Sequence, residues 1–422
     1  MGKRFIPQSY MRQGIHDLQE SSEFEGEATA TSKKNFSVYT DRTMILLFVV
    51  SFVTTLGMSS INSIWPLYII SLGATVLQAG YVISLSGVVA TILTGFSGVI
   101  SDRFGRKRVI LASIILAIIS PLLYIRTEGW QELFLLGPLY ASVFSLFMPT
   151  RNAWIADLVE PEKRSAAYSF LFLALPTAGV VGPTLGGMIV DSLGWQTLFM
   201  VVAVVHGLSI LPIIVIGDSG KPSTEPEETS FEAAGEQGQT KVVFLMILLW
   251  FVLGLGSGTV NTTIPLYLTE KLKSTKTQIG IFTSIGFGVT GAVSQLLSAK
   301  LTDKLGKRRF LLYCCLAIPL TYLAWPSRTT YMELLALRMI GMAAWTASWS
   351  PAVATLMEAS PTRKRGLYSG LFEASVRFGM TVGPTLAGIL WENWGSYSPF
   401  YTASLIFAVS VPIALLVERS QS

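Results

Sequence analysis

The chain has 422 residues, of which 51% are hydrophobic and 14% are charged, about half the charged fraction of an ordinary soluble protein. This composition excludes a water-soluble globule, because so much apolar surface cannot be buried inside water-facing domains. The net charge of +5 comes from short basic clusters between apolar runs, a pattern that indicates membrane topology rather than nucleic-acid binding. Cys314 and Cys315 are adjacent in an apolar run and predict no disulfide framework.

The sequence begins with a polar, charge-rich segment, residues 1–43, which is predicted to be a disordered cytoplasmic tail. Apolar runs long enough to cross a bilayer then follow in two groups of six. Between the groups, the Glu-, Gly-, Ser- and Pro-rich residues 217–241 are predicted to be a disordered cytoplasmic linker. The predicted bundles cover 44–216 and 242–418, and 419–422 form a short cytoplasmic tail. The predicted spans are 44–70, 75–99, 109–126, 132–156, 166–190, 196–216, 242–268, 277–299, 310–326, 332–357, 367–390 and 397–416.

The two groups repeat one another in sequence, and the repeats share polar residues as well as apolar ones. Three pairs carry the repeat: NSIWPLY (62–68) with NTTIPLY (261–267), SDRFGRKR (101–108) with TDKLGKRR (302–309), and GPTLGG (182–187) with GPTLAG (383–388). Shared polar residues argue against a coincidence of apolar composition. The sequence therefore predicts an all-α membrane protein of twelve transmembrane helices in two pseudo-symmetric six-helix bundles, with a substrate site between them at mid-membrane depth.

Positive charges in the short loops predict the orientation, because cytoplasmic loops are enriched in Lys and Arg. One side carries Arg103, Arg106, Lys107, Arg108, Lys163, Arg164, Lys304, Lys307, Arg308, Arg309, Arg363, Lys364 and Arg365, whereas the other carries Arg126, Lys271, Lys273, Lys276 and Arg328. The first side is predicted to be cytoplasmic, and an even number of spans places both termini there. We expect an integral, multi-pass protein of the plasma membrane.

The loop after the second predicted span reads GVISDRFGRKR, residues 98–108. It resembles the GxxxDRxGRK/R signature of the major facilitator superfamily, and residues 300–309 are a weaker copy. The resemblance covers residues 44–418 and implies a secondary transporter with that superfamily's fold. By elementary chemistry, Gly98 permits a close helix approach, Gly105 a tight turn, and Asp102 with Arg106 a charge network at the membrane surface.

In that superfamily the charge network holds the two bundles together in the outward-facing state and breaks when the cytoplasmic side opens. The resemblance implies that Asp157 completes the network in the fourth span and that Glu358 is its second-half counterpart. An ordinary basic loop is the alternative, with more weight for the second copy. The gating and charge-network candidates are Gly98, Asp102, Arg103, Gly105, Arg106, Asp157, Asp303, Lys307 and Glu358.

The fifth span resembles the GxxxGPxxGG pattern of the superfamily's antiporters, with Ala178 at the first Gly position. Small residues at this spacing let helices touch backbone to backbone, and the proline bends the span. The pattern favours export over import, and plain helix packing is the alternative. The helix-packing candidates are Gly182, Pro183, Gly186 and Gly187, with Gly383 and Pro384 in the repeat.

Ionisable residues inside spans are costly and are therefore functional candidates. Glu373 and Arg377 are four residues apart in the eleventh span, so both lie on one helical face. We hypothesise that Glu373 exchanges a proton while Arg377 stabilises its charged form in the empty state; a static ion pair is the alternative. Arg151 lies about two turns above Asp157, and Arg338 lies near the outer end of the tenth span.

Arg338 resembles the Arg of the RxxxG motif of the drug and proton antiporters. That group carries the motif in the fourth span, where this chain has no Arg near Gly137, and its first-span partner is replaced by Asn62 and Trp65. Asn62 and its repeat Asn261 are candidates for the cavity wall or for interhelical hydrogen bonds. The proton-coupling and substrate-cavity candidates are Glu373, Arg377, Arg338, Arg151, Asn62, Trp65, Asn261 and Trp345, the last a cavity wall or packing residue.

The sequence contains no metal-ligand spacing, P-loop or nucleophile elbow, so we expect no enzyme activity, cofactor or metal. The expected function is secondary active transport of a small organic solute by alternating access, with proton-coupled efflux favoured. Proton-linked uptake or uniport of a sugar or carboxylate is the alternative, and a non-transporting sensor or scaffold is a remote one. Expected partners are the small-molecule substrate, protons and the lipid bilayer, with no nucleic acid, for a monomer.

Overall fold

The computed structural model describes residues 41–216, 240–361 and 364–420. Most of the predicted N-terminal tail, nearly all of the predicted linker and the last two residues of the predicted C-terminal tail lie outside the described residues. Arg363, one of the basic loop residues, also lies outside them. Within the described residues all regular elements are helical.

Eight helices build the first half and seven build the second, with a single π-helical turn in the second half. The first-half helices are Arg42–Asn62, Trp65–Ser71, Val76–Phe104, Arg106–Tyr124, Leu133–Leu158, Pro161–Phe172, Ala174–Leu208 and Ile210–Val215. The second-half helices are Thr240–Leu272, Lys276–Thr283, Thr290–Leu305, Lys307–Ala324, Tyr331–Ala359, Arg365–Trp394 and Ser398–Arg419, and Ser284–Val289 is the π-helical turn. These elements confirm the predicted all-α fold of two six-helix bundles.

Length and composition qualify nine helices of the described residues as membrane spans. One of the nine, Ala166–Val215, has 50 residues and is interrupted at Gly194 (φ 84°, ψ 173°), so it supplies the fifth and sixth spans. The helices Tyr331–Ala359 and Arg365–Trp394, which are the tenth and eleventh spans, fall outside the nine although they have 29 and 30 residues. Together they give the twelve predicted spans.

The span boundaries follow from local turn chemistry that the two halves share. The second span begins at a capping box between Thr75 and Gln78, and the eighth begins at the same box between Thr275 and Gln278. Each of these side chains satisfies a backbone N–H that the helix itself leaves unpaired. At the other ends, Gly105 (φ 91°) and Gly306 (φ 79°) adopt the left-handed region that allows a tight turn.

The two halves touch mainly through two helix pairs, the second span with the eleventh and the fifth with the eighth, and a smaller contact joins Trp65–Ser71 to the seventh span. Glycines permit backbone contact there: a Cβ on Gly80 would lie 2.4 Å from the Pro384 carbonyl oxygen, and a Cβ on Gly280 would lie 2.2 Å from the Pro183 carbonyl oxygen. These contacts occupy the side of the bundle opposite the basic loops. We call the end with the basic loops the basic side and the other end the opposite side.

On the basic side the second and eleventh spans stand apart. A Cβ on Gly98 or Gly95 of the second span, or on Gly366 or Gly370 of the eleventh, would meet no atom within 4 Å. The close helix approach expected at Gly98 is therefore absent in this conformation, because the facing span is too far away. The structure is closed on the opposite side and open on the basic side.

Candidate functional site

A cavity of about 360 Å³ is lined mainly by the first, second and fourth spans of the first half. Its wall includes Asn62, Trp65, Tyr140 and Ser86, and the eleventh span of the second half contributes Arg377. The volume lies in the range of small-molecule sites. Of the predicted candidates, the structure therefore brings Asn62, Trp65 and Arg377 together at one cavity.

The cavity lies mainly in the first half, and the two halves differ at one position of its fourth-span wall. Gly137 lines the cavity, and a Cβ there would lie 2.7 Å from Ser86 Oγ. The residue at the equivalent position of the second half is Arg338, whose side chain packs against Gly286 in the π-helical turn. π-Helical turns are rare and often lie at functional positions. Here the π-helical turn and Gly286 accommodate the Arg338 side chain, whereas the equivalent residue of the first half, Gly137, has no side chain.

Arg338 is buried and is held by neutral acceptors. It donates to the Tyr322 hydroxyl at 3.0 Å and to Asn261 Oδ1 at 2.9 Å, and Asn261 donates its own amide to Ser257 at 3.1 Å. No acidic side chain of the described residues lies within ion-pair distance of this guanidinium. Arg338 and Asn261 are thus joined to each other and do not line the cavity.

The two repeat-related asparagines differ in environment. Asn62 is exposed at the cavity, and its side chain has no hydrogen-bond partner among the described residues. The first span breaks directly after it, because one helix ends at Asn62 and the next begins at Trp65 with Pro66 in its first turn. Discontinuous spans are common at transporter binding sites. Trp65 packs beside Tyr124, with ring centroids 5.0 Å apart, and both rings form part of the cavity wall.

Glu373 and Arg377 share one face of the eleventh span, as their spacing predicts. Arg377 Nε lies 4.0 Å from Glu373 Oε2, and the two side chains are 44% and 46% exposed. This is the limit of an ion pair, so most of the donors of Arg377 are free. Trp345 lies in an aromatic cluster rather than at the cavity, since its ring stacks on Trp250 at 6.4 Å and Trp250 stacks on Phe372 at 4.9 Å.

Arg151 is placed away from the cavity, in the core near the basic side. Its side chain is buried, donates to Asn152 Oδ1 at 3.0 Å and lies over the Phe172 ring at 5.7 Å. Tyr140 and His206 form a buried contact that was not predicted as part of the site, with the Tyr140 hydroxyl 3.4 Å from His206 Nε2. Tyr140 also lines the cavity, so its hydroxyl connects His206 to the cavity.

On the basic side, the charge-network candidates form equivalent pairs in the two halves. Arg106 contacts Asp102, and its Nε lies 3.0 Å from Asp157 Oδ2. In the second half, Lys307 contacts Glu358. Both networks stay within their own half, which agrees with the open basic side. Of the remaining candidates, Asp303 pairs with no described residue, and the guanidinium of Arg103 lies over the Phe104 ring at 5.7 Å.

Two basic loop residues have a structural role that the sequence did not reveal. Lys107 Nζ donates to the carbonyl oxygen of Ile216 at 2.6 Å, and Arg308 donates to that of Val417 at 2.9 Å. Each cation thereby caps the C-terminal end of the last span in its half, where unpaired carbonyls favour positive charge.

On the opposite side, two unpredicted carboxylates join the halves. Asp191 accepts from the backbone N–H groups of Lys276 and Thr277 at 3.1 and 2.7 Å, and from the Thr277 hydroxyl at 2.7 Å. Glu392 accepts from the Leu77 backbone N–H at 2.8 Å. Each acid thus sits at the N-terminal end of a span from the other half, which favours negative charge. We call Asp191 and Glu392 the carboxylate latch.

The helix-packing candidates of the fifth span contact both halves. A Cβ on Gly182 or Gly186 would clash with Ser59 or Ser60 of the first span, whereas a Cβ on Gly187 would lie 2.1 Å from the Lys276 carbonyl oxygen in the eighth span. Pro183 supplies the carbonyl that Gly280 approaches. In the eleventh span Gly383 and Pro384 contact the seventh and second spans in the same way.

Within residues 41–216, 240–361 and 364–420, no group of three or more His, Cys, Asp or Glu side chains is placed to hold a metal ion.

The sequence profile described as Major Facilitator Superfamily matches residues 47–256 and again residues 246–422. Multidrug resistance protein 2 of Bacillus subtilis (strain 168) is 22% identical over 385 residues, which cover 90% of this chain and 96% of that protein. Multidrug resistance protein MdtG of Proteus mirabilis (strain HI4320) is 26% identical over 376 residues, which cover 84% of this chain and 91% of that protein.

Solved structures are similar over most of the chain. The nucleoside transporter NupG matches with a TM-score of 0.71 at 15% identity, covering 89% of this chain and 98% of that one. A bacterial homologue of the iron transporter ferroportin in the inward-facing state matches with a TM-score of 0.71 at 18% identity, with the same coverage. At these identities the similarity establishes the fold alone.

Proposed function

Since this chain belongs to the Major Facilitator Superfamily, we propose that it exports a small organic solute by alternating access in exchange for protons. Membership makes the chain a multi-pass integral membrane transporter of small molecules, not an enzyme. It also confirms the resemblance that residues 98–108 indicated.

The observation that carries the proposal is a cavity lined by both halves of a molecule whose halves touch on one side only. Contacts such as Gly80 with Pro384 and Gly280 with Pro183 close the opposite side, whereas Gly98 and Gly370 on the basic side face open space. With the basic side in the cytoplasm, as the loop charges predict, the cavity loads from the cytoplasm. This is the state in which an exporter takes up its substrate.

The charge network on the basic side supports a gating role in this cycle. Arg106 is held between Asp102 and Asp157 within the first half, while the Asp102 side chain remains 59% exposed. An exposed carboxylate at the end of the second span is available to the second half when the basic side closes. We therefore propose that this network stabilises the outward-facing state.

Glu373 is the proposed proton carrier. It is the acid on the face of the eleventh span that also presents Arg377 to the cavity, and its exposed side chain can exchange protons with water on the open side. The loose 4.0 Å contact with Arg377 can be exchanged for a contact with substrate. A substrate that takes the place of Arg377 beside Glu373 competes with the proton for that carboxylate, and this competition is what exchange requires.

Two observations bear on the direction of transport. The names of the relatives, both multidrug resistance proteins, and the antiporter-like pattern of the fifth span support export. Proton-linked transport of a carboxylate is the second candidate, because the ionisable residue that lines the cavity is a cation, Arg377.

The test is substrate-induced proton movement in sealed proteoliposomes that contain the full chain and a pH-sensitive dye. The panel comprises lipophilic cations, neutral drugs, sugars and carboxylates. Proton flow opposite to a panel compound supports the exchange mechanism, and proton flow alongside a sugar or carboxylate supports the second candidate. Proteoliposomes in which no compound moves protons would contradict proton coupling.

A further inference from the structure

We propose that the substrate is an amphiphilic monoanion whose carboxylate binds Arg377 and Asn62 while its apolar body packs against Trp65 and Tyr124. This inference rests on the second candidate of the proposed function, proton-linked transport of a carboxylate, because an anion at Arg377 and a proton at Glu373 favour each other. It names the substrate class of the same cavity.

The first argument is the charge of the cavity wall. Among the described residues that line the cavity, Arg377 is the only Lys, Arg, Asp or Glu. The other arginines inside the spans, Arg151 and Arg338, have no acidic partner among the described residues, and Arg377 has only the loose contact with Glu373 at 4.0 Å. A cationic substrate would lose its hydration and be repelled by the positive charge of Arg377, whereas an anionic substrate would be attracted by that charge.

The second argument concerns which donors are free. Several wall hydroxyls are already committed to backbone carbonyls: Ser86 donates to Val82 at 2.8 Å, and Tyr124 donates to Leu136 at 3.0 Å. Arg377 contacts Glu373 at 4.0 Å with one of its nitrogens and has no side-chain hydrogen bond to a described residue. The Asn62 amide has none either. A guanidinium and an amide that are both unoccupied form a donor set suited to a carboxylate.

The third argument is that the two donors come from different halves. Asn62 ends the first helix of the first half, and Arg377 lies in the eleventh span of the second half. A carboxylate that binds both joins the halves across the cavity. Because a ligand shifts a conformational equilibrium only through contacts that differ between states, this bridge is what would connect binding to the transport cycle.

The substrate anion would have a competitor within the protein. Among the described residues, Glu373 is the one carboxylate within ion-pair distance of Arg377, so a substrate carboxylate would displace it. Removing the charge of Glu373 should therefore strengthen anion binding, whereas a cationic substrate would bind more weakly after the same change. The sign of this effect separates the two substrate classes.

The experiment uses three compounds with one apolar body and different charges: indole-3-acetate, indole-3-acetamide and tryptamine. Binding to the purified full chain in detergent is measured as the ligand-induced rise in Tm over a concentration series. We expect the acetate to bind best, Arg377→Gln to weaken it by about tenfold or more, and Arg377→Lys to retain the preference for the anion. Glu373→Gln should tighten it. Arg126→Gln, which removes an exposed arginine outside the cavity wall, is the matched control.

A Tm rise with the acetate that is no larger than the rise with the amide or the amine overturns the inference, as does an anion preference that persists in Arg377→Gln. Binding in detergent needs no proton gradient, so the result is independent of proton exchange. Tryptamine moved against protons in liposomes, without acetate binding, would support the proposed function and refute the anionic substrate.

Discussion

Replacing Asp191 of the carboxylate latch by alanine should shift the protein towards the state that is open on the opposite side. Asp191 joins the halves through two backbone N–H groups and one hydroxyl of the eighth span. These contacts must break when the opposite side opens. The substitution therefore raises the free energy of the state that is open on the basic side and leaves the state that is open on the opposite side unchanged.

The size of the shift follows from the position of Asp191 at the start of the eighth span. The side chain is 24% exposed, and water can solvate the freed N–H groups, so the full energy of three charged hydrogen bonds is not lost. Loss of a capping carboxylate at a helix N-terminus costs about 1–2 kcal/mol. We expect the ratio of molecules open on the basic side to molecules open on the opposite side to fall by roughly 5- to 30-fold. Glu392→Ala, which removes one hydrogen bond to Leu77, should produce a smaller shift.

The assay is a distance distribution between spin labels on the opposite side, at Glu128→Cys in the first half and Thr329→Cys in the second. Both positions are exposed, whereas the native Cys314 and Cys315 are buried and poorly accessible to label. Asp191→Ala should enlarge the population with the longer distance. An unchanged distribution would refute the role of the latch.

Glu270→Ala is the matched control for this assay. Its carboxylate also lies at the opposite side but pairs with Lys271, its own neighbour, at 3.1 Å. The contact does not join the halves and should leave the distribution unchanged. An equal shift in this variant would mean that the effect reports surface charge rather than the latch.

Three further predictions concern charged and polar groups of the spans. Asp102→Asn should abolish transport in proteoliposomes while folded protein remains in the membrane, and unchanged transport would remove its proposed gating role. Glu373→Gln should uncouple transport from a pH gradient, measured as substrate flux with and without the gradient; retained coupling would place the proton site elsewhere. Asn261→Ala should lower stability by about 1–3 kcal/mol, because it removes one of the two acceptors of the buried Arg338, at 2.9 Å, and leaves only the Tyr322 hydroxyl; a Tm equal to that of the unaltered chain would contradict this.

The repeat in the sequence predicted the architecture well, since turn and packing residues recur at nearly constant spacing. It also contained a signal for the π-helical turn. The offset between halves is 200 residues at the start of the second and eighth spans (Thr75 to Thr275) but 201 at their ends (Asp102 to Asp303). The eighth span therefore has one extra residue, and the structure accommodates it in Ser284–Val289. A wider helical turn absorbs one residue without breaking the span.

The environment of single polar residues was less predictable, because it depends on which helix faces them. Asn62 and Asn261 are equivalent in sequence, yet one lines the cavity and the other binds Arg338. That difference is set by residues far away in the chain, Gly137 in one half and Arg338 in the other. The latch was missed because Asp191 and Glu392 lie outside every recognised motif, although their 201-residue spacing matches the repeat.

The cavity is lined almost entirely by the first half, so the residues that select the substrate are largely separate from those that couple binding to the transport cycle. A solute held mainly by Asn62, Trp65 and Tyr124 would stay bound to the first half while the two halves move relative to each other. Substitutions in that wall should alter which solute is accepted while changing its affinity equally in both states. Among the described lining residues only Arg377 comes from the second half, so in the proposed cycle it is the contact that makes affinity depend on the state. New substrates could therefore be acquired in evolution by changes in the first half, without rebuilding the machinery that drives the cycle.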